Sequence, residues 1–228
     1  MRATCRSMVL LSGWLVAGFL PLIPVQGASS GDGAHGLYFR GGIGPEIAHE
    51  TDVKEFFGPS SGILVKYDPG IRISAAGGYL FCRYFSAELE SGLLYNSIKS
   101  ITGSPSTDAG VANVPLLANA VFHIPLGSNF VPSCGFGFGG STSVLSIDHA
   151  TIAGRALDGD ESDFVWAAQA FVGFRYEFND RMGVGFGYRY LATDQPSWDA
   201  FSSTAGSGEL KFDNSRTHSF LAEFTLKF

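Results

Sequence analysis

Apolar and polar residues alternate one for one along most of this chain. At the C-terminus His218, Phe220, Ala222, Phe224, Leu226 and Phe228 share one side of an extended strand, opposite Thr217, Ser219, Leu221, Glu223, Thr225 and Lys227. Residues 164–178 set Phe164, Trp166, Ala168, Ala170, Val172, Phe174, Tyr176 and Phe178 against Gln169, Gly173, Arg175 and Glu177. Residues 182–190 set Met182, Val184, Phe186, Tyr188 and Tyr190 against Gly183, Gly185, Gly187 and Arg189. Segments 37–48, 70–82, 85–96, 113–124 and 131–142 fit the same template, so the pattern predicts eight strands. Connections alternate in length. Cys82–Tyr84, Pro125–Phe130 and Asn179–Arg181 read as short turns, whereas 49–69, 97–112, 143–163 and 191–216 read as long loops rich in Gly, Ser, Pro and Asp. Short turns at one end and long loops at the other predict an all-β, eight-stranded antiparallel up-and-down transmembrane β-barrel with the long loops outside. Ten strands would need another hairpin inside 191–216, where Pro196, the Ser-rich residues 202–207 and Gly208 oppose long strands.

Alternation does not say which face is the core, because a soluble barrel also alternates. Volume decides it. One face carries Phe39, Phe81, Phe85, Phe122, Phe136, Phe138, Phe164, Phe174, Phe178, Phe186, Phe220, Phe224, Phe228 and Trp166, with several tyrosines. An eight-stranded barrel has an interior just wide enough for ordinary side chains or one small ligand, so these rings belong outside, against lipid. Tyr79, Tyr95, Tyr176, Tyr188 and Tyr190 are then candidates for interfacial girdles. Composition agrees: charged residues make up 16%, with 30 Gly and 20 Phe.

Residues 1–27 read as an export leader. Arg2 and Arg6 precede an apolar run from Met8 to Leu20, interrupted at Pro21 and Pro24, and Val25-Gln26-Gly27 supplies a small-residue cleavage site. The alternative is a retained anchor, although the run is shorter than the ~20 residues of a spanning helix. The barrel domain then occupies 28–228. The net charge of −6 excludes a nucleic-acid partner. Beyond the leader only Cys82 and Cys134 remain, placed on opposite faces of non-neighbouring strands, which is no disulfide framework.

The runs Tyr67-Asp68-Pro69-Gly70, Ala75-Ala76-Gly77-Gly78-Tyr79, Phe85-Ser86-Ala87-Glu88-Leu89-Glu90 and Val114-Pro115-Leu116-Leu117-Ala118-Asn119, closing on Phe228, resemble the small outer-membrane barrels grouped with the OmpA transmembrane domain and the opacity-type surface proteins. The likeness spans nearly all of 28–228. It implies a Gram-negative outer membrane, contact with outer-membrane lipid and lipopolysaccharide, and insertion by the barrel-assembly machinery, for which the terminal aromatic Phe228 is the assembly signal. It implies no single activity, since the family includes adhesins and structural anchors. No peptidoglycan-binding domain of the OmpA kind is expected after Phe228.

Candidate chemistry is sparse. Gly135-Phe136-Gly137-Phe138-Gly139-Gly140 satisfies G-x-G-x-x-G, but nothing after it reads as a helix, so small inward residues explain it better than a dinucleotide. His218 and Ser219 invite comparison with barrel hydrolases, yet adjacent strand residues face opposite ways and cannot act on one surface. His49 and His149 sit in loops without a neighbouring acid and nucleophile. The acids Asp158, Asp160, Glu161 and Asp163 miss the EF-hand spacing. No enzyme, cofactor or metal centre is therefore expected.

The inner face, by contrast, collects Arg40, Glu46, Arg72, Glu88, Glu90, Arg175, Glu177, Arg189, Glu223 and Lys227, five of each sign. Counting up from the periplasmic ends brings Arg40, Glu88, Glu90, Arg175 and Glu223 to comparable height, an expected interior charge cluster. It reads either as a polar plug or as the gate of a narrow, low-conductance channel. The first reading leaves a structural or adhesin-like surface role through the long loops, with a host or other extracellular ligand.

Overall fold

The computed structural model describes residues 35–56, 62–102, 107–152, 155–202 and 206–228; the expected leader lies outside them. Twelve strands are present: β1 (Gly36–Ala48), β2 (Thr51–Phe56), β3 (Leu64–Tyr67), β4 (Gly70–Cys82), β5 (Phe85–Ile101), β6 (Thr107–His123), β7 (Phe130–Ile152), β8 (Arg155–Glu177), β9 (Met182–Thr193), β10 (Ser197–Ser202), β11 (Gly206–Phe212) and β12 (Ser215–Lys227). Eight close a barrel in the order β1-β4-β5-β6-β7-β8-β9-β12, each antiparallel to its neighbours, with β12 returning to β1. The eight strands expected from alternation are these eight.

The long connections are not loops. Residues 49–69 contain β2 and β3, residues 191–216 contain β10 and β11, and β5 to β8 run on through most of 97–112 and 143–163. A second ring, β5-β3-β2-β11-β10-β8-β7-β6, stands on the first. β1, β4, β9 and β12 stop, and β2, β3, β10 and β11 resume their paths after short breaks at His49-Glu50, Asp68-Pro69, Asp194-Gln195-Pro196 and Asp213-Asn214. The hairpin inside 191–216 thus lengthens two strands and adds none to the membrane ring.

Outside, the expected parity holds. Phe39, Phe81, Phe122, Phe136, Phe138, Phe164, Trp166, Phe174, Phe178, Phe186, Phe220 and Phe224 are exposed on the wall, while Ser86, Ser219, Leu221 and Thr225 of the opposite parity are buried. On β12 this face runs from His218 to Phe228, which at about 3.3 Å per residue and a tilt near 40° is about 25 Å along the membrane normal, the thickness of an outer-membrane apolar band. β7 and β8 have 23 residues each, about 55 Å on the same reckoning, so the wall rises well beyond lipid. There the outward residues turn polar: Lys54 pairs with Asp213 at 2.8 Å and Lys66 with Glu50 at 2.9 Å. The Lys54 hydrogen bond holds the Asp213 carboxyl below its usual range.

Phe224 sits in the middle of the band, opposite Gly41 and Val184. Phe224→Arg is expected to cost about 2–4 kcal/mol in a urea refolding titration into lipid vesicles, as for a cation at the bilayer midplane. Thr225→Ser, on the lumen side, is expected to change the same titration little.

Candidate functional site

The lumen is filled in layers. At the mouth bounded by the short turns, Arg175 and Lys227 both donate to Glu177 Oε1, at 2.9 Å from Arg175 Nη2 and 2.6 Å from Lys227 Nζ. Above them the Tyr38 hydroxyl donates to Glu88 Oε1 at 2.7 Å and lies 2.7 Å from Ser86 Oγ, which is 2.9 Å from His123 Nε2. Gly78 faces the Tyr38 ring so closely that a Cβ there would lie 2.7 Å from the phenolic oxygen. Its missing side chain makes the space that ring occupies.

The next layer is the charge cluster. Arg40 bonds Glu88 and, at 3.3 Å, Glu223, and lies 3.8 Å from Glu90. Arg189 donates to Glu90 at 2.8 Å and to Glu223 at 2.7 Å, bridging the two acids. Arg72 donates to Glu90 Oε1 at 3.1 Å and to Gln169 Oε1 at 3.1 Å. Glu90 Oε2 also accepts from Asn119 at 2.7 Å and Gln169 at 2.9 Å, so this one carboxylate, 1% exposed, organises three guanidiniums and two amides. Phe171 points inward beneath two of them, with Arg189 Cζ 4.8 Å and Arg40 Cζ 5.6 Å from its ring centre. Opposite charges with satisfied lone pairs are the arrangement in which buried ions persist.

Four of the five expected cluster residues, Arg40, Glu88, Glu90 and Glu223, stand together. Arg175 does not. It lies lower, on Glu177, because tilted strands are staggered and counting residues from the periplasmic end misplaces heights between distant strands. Arg72 and Arg189, which the sequence places on the inner face, are the missing partners. Asn119, Gln169 and Phe171 have the inward parity of their strands and could have been found by it. Phe228 closes the barrel edge, its N–H donating to Leu37 O at 2.9 Å, with the ring exposed.

Above the cluster, polar and apolar layers alternate. Arg72 Nη1 lies 3.4 Å from Ser219 Oγ, which donates to the fully buried Glu46 at 3.3 Å. Then Leu94, Leu117, Ala167 and Leu191 meet across the lumen. A pocket of ≈ 20 Å³ bordered by Asn96, Asn113, Ser143, Thr193 and Thr217 follows, room for about one water. The upper ring is filled by Val53, Val65, Ile98, Ile101, Val111, Leu145, Ile147, Trp198, Leu210 and Phe212. Tyr67 packs against them, and burial pushes its hydroxyl up to about 12.

The glycine-rich and His-Ser motifs lie on strands of the barrel wall. Gly135, Gly137 and Gly139 lie mid-strand in β7, where Asn119 and Gln169 occupy the space beside Gly137. His218 faces outward and Ser219 is buried, as expected for neighbours on a strand. The side chains of His149, Asp158 and Asp160 lie outside the described residues. Among the described residues no group of three or more His, Cys, Asp or Glu is placed to hold a metal, and Cys82 and Cys134 are both free thiols.

A closed eight-stranded ring with aromatics outside and paired charges within defines a transmembrane barrel of an outer membrane. The family model described as outer membrane protein beta-barrel domain matches residues 15–228, and the chain belongs to that family. It is thus a protein of a Gram-negative outer membrane, in contact with its lipid. Among solved structures it is similar to OprG of Pseudomonas aeruginosa, at 17% identity and a TM-score of 0.63 over 87% of this chain and 98% of that one. Neisserial surface protein A matches at 16% identity and a TM-score of 0.51, over 84% and 97%. The protease OmpT of Escherichia coli matches at 7% and 0.56, over 88% and 99%. These likenesses are of fold. A search of curated proteins returns no match.

Proposed function

We propose that this protein is a sealed barrel that serves the cell surface, as a structural element or a recognition platform at its extracellular end, without catalysis and without steady conduction. The observation that carries this reading is the stacking of two unlike fillings in one lumen. Ions entering from the periplasmic side would have to displace Arg40, Arg72 and Arg189 from their acids and then cross two apolar layers. The charged belt of Lys54, Asp213, Lys66 and Glu50 above the apolar band suits headgroup phosphates and divalent ions of lipopolysaccharide. The exposed terminal ring of Phe228 suits capture by the barrel-assembly machinery.

The channel reading makes the Arg40 cluster a gate. Planar-bilayer recordings separate the two: the sealed barrel is expected to show no steady current, and Arg40→Ala none either, because the layer of Leu94, Leu117 and Leu191 stays shut. A current opened by Arg40→Ala would establish the gate instead. For recognition, replacing the tips between β2 and β3 and between β10 and β11 with short Gly-containing turns is expected to abolish adherence of intact cells to cultured epithelial cells. Unchanged adherence would leave the structural role.

A further inference from the structure

A chain of polar rings crosses the outer wall where the apolar band ends. His49 follows the last residue of β1, and its N–H donates to Arg216 O at 2.9 Å across the seam between the first and last membrane strands. His218 on β12 is registered with Ile47 on one side and Tyr190 on the other, so His49 is its outward diagonal neighbour. The two imidazoles meet Nε2 to Nε2 at 2.7 Å. On the far side His218 Nδ1 lies 2.5 Å from the Tyr188 hydroxyl, and its ring is flanked by Tyr188 and Tyr190 at 5.8 and 5.2 Å. Three strands thus hold His218 in a fixed orientation, with one nitrogen anchored and the other aimed at a second imidazole.

We propose that His49 and His218 chelate a divalent transition-metal ion, Zn(II) or Cu(II), on the outer wall at the upper edge of the apolar band, with Tyr188 as the hydrogen-bonded partner that orients His218. Two imidazole nitrogens each about 2.0–2.1 Å from such an ion stand about 2.9–3.4 Å apart at ligand angles between 90° and tetrahedral. His49 is exposed, so it can withdraw a few tenths of an ångström from the present separation and turn its ring until both Nε2 lone pairs converge on one point. A Tyr oxygen on Nδ1 leaves Nε2 as the ligating atom, the arrangement in which an outer hydrogen bond fixes tautomer and ring plane. Imidazole donors select borderline metals over calcium or magnesium, which want carboxylates. The adjacent Glu50 is engaged by Lys66. The protein supplies two ligands and water the others. Because those ligands sit on either side of the β1–β12 junction, the ion would also clamp the barrel's closing seam.

The test is calorimetric titration of zinc chloride into protein purified from outer membranes without an affinity tag, in detergent. One saturable ion per barrel is expected, with binding abolished in both His49→Ala and His218→Ala. Tyr188→Phe is expected to keep the stoichiometry and weaken binding by about 10-fold or more, the usual effect of losing such a partner. The Cu(II) form should show coupling to two imidazole nitrogens by electron paramagnetic resonance. Zn(II) should raise the temperature at which gel mobility shifts in the wild type and leave His49→Ala unmoved; the exposed site of His49 keeps that variant folded. Absence of saturable binding by the wild type, or equal binding in the double His variant, would show the pair to be only a neutral N–H···N hydrogen bond and overturn the proposal.

Discussion

Glu90→Ala is expected to lower the unfolding free energy by about 3–5 kcal/mol, the loss that follows when one member of a buried ionic network is removed. Glu90 is the residue on which the network converges. Without it Arg72 keeps no carboxylate within ion-pair distance among the described residues, Arg189 keeps only Glu223, and the amides of Asn119 and Gln169 lose their shared acceptor. All these groups are nearly inaccessible to solvent, so each orphaned donor bears its desolvation cost. Urea unfolding in lipid vesicles, followed by tryptophan fluorescence, measures the change. Glu90→Gln, which keeps an acceptor but no charge, should fall between wild type and Glu90→Ala. A loss below about 1 kcal/mol would show that water enters and hydrates the cluster.

The membrane ring was legible because its physics is simple. A two-residue period with nearly all the large rings on one parity, from Phe39 to Phe228, and only Tyr38 and Phe171 of the membrane ring turned inward, admits one solution in a barrel too narrow to hold those rings. The upper ring was hidden by its breaks. Asp68-Pro69, Asp194-Gln195-Pro196 and Asp213-Asn214 are turn chemistry, and here they bend strands without ending their course. A second signal was present in the inner parity itself. On β5 the inward residues pass from Glu88 and Glu90 through Leu94 and Asn96 to Ile98; on β7 they pass from Ser141 and Ser143 to Leu145 and Ile147. Apolar side chains at lumen positions, with Asp52, Lys54 and Lys66 outward, mean that the wall has left lipid and entered water, where burial favours the opposite arrangement. The cluster's membership was harder to read. Inward direction follows from parity alone, whereas height follows from the stagger of the sheet, and only the latter separates Arg175 from Arg189.

Trp198→Ala is expected to open the upper ring while the membrane ring stays closed. Trp198 is 3% exposed, packs edge-on against Phe212 with ring centres 5.0 Å apart, and donates Nε1–H to Ser143 O at 3.2 Å. Truncating a buried tryptophan typically costs about 3–5 kcal/mol, here with a carbonyl left unpaired as well. That core rests on short strands: β10 and β11 have 6 and 7 residues, and β10 joins β8 through one registered pair, Ser202 with Leu157. The loss should therefore fall on local opening, raising the open population by roughly 10²-fold to several thousand-fold. Protease added to intact cells should cut the variant within 191–216 far faster than the wild type. Heat-modifiable gel migration should persist, because the strands around Glu90 and the lipid-facing aromatics are untouched. Equal cleavage rates would show that the upper ring owes its order to the continuation of β5 to β8 rather than to its own apolar core; loss of the compact gel band would show that the two rings fold as one unit.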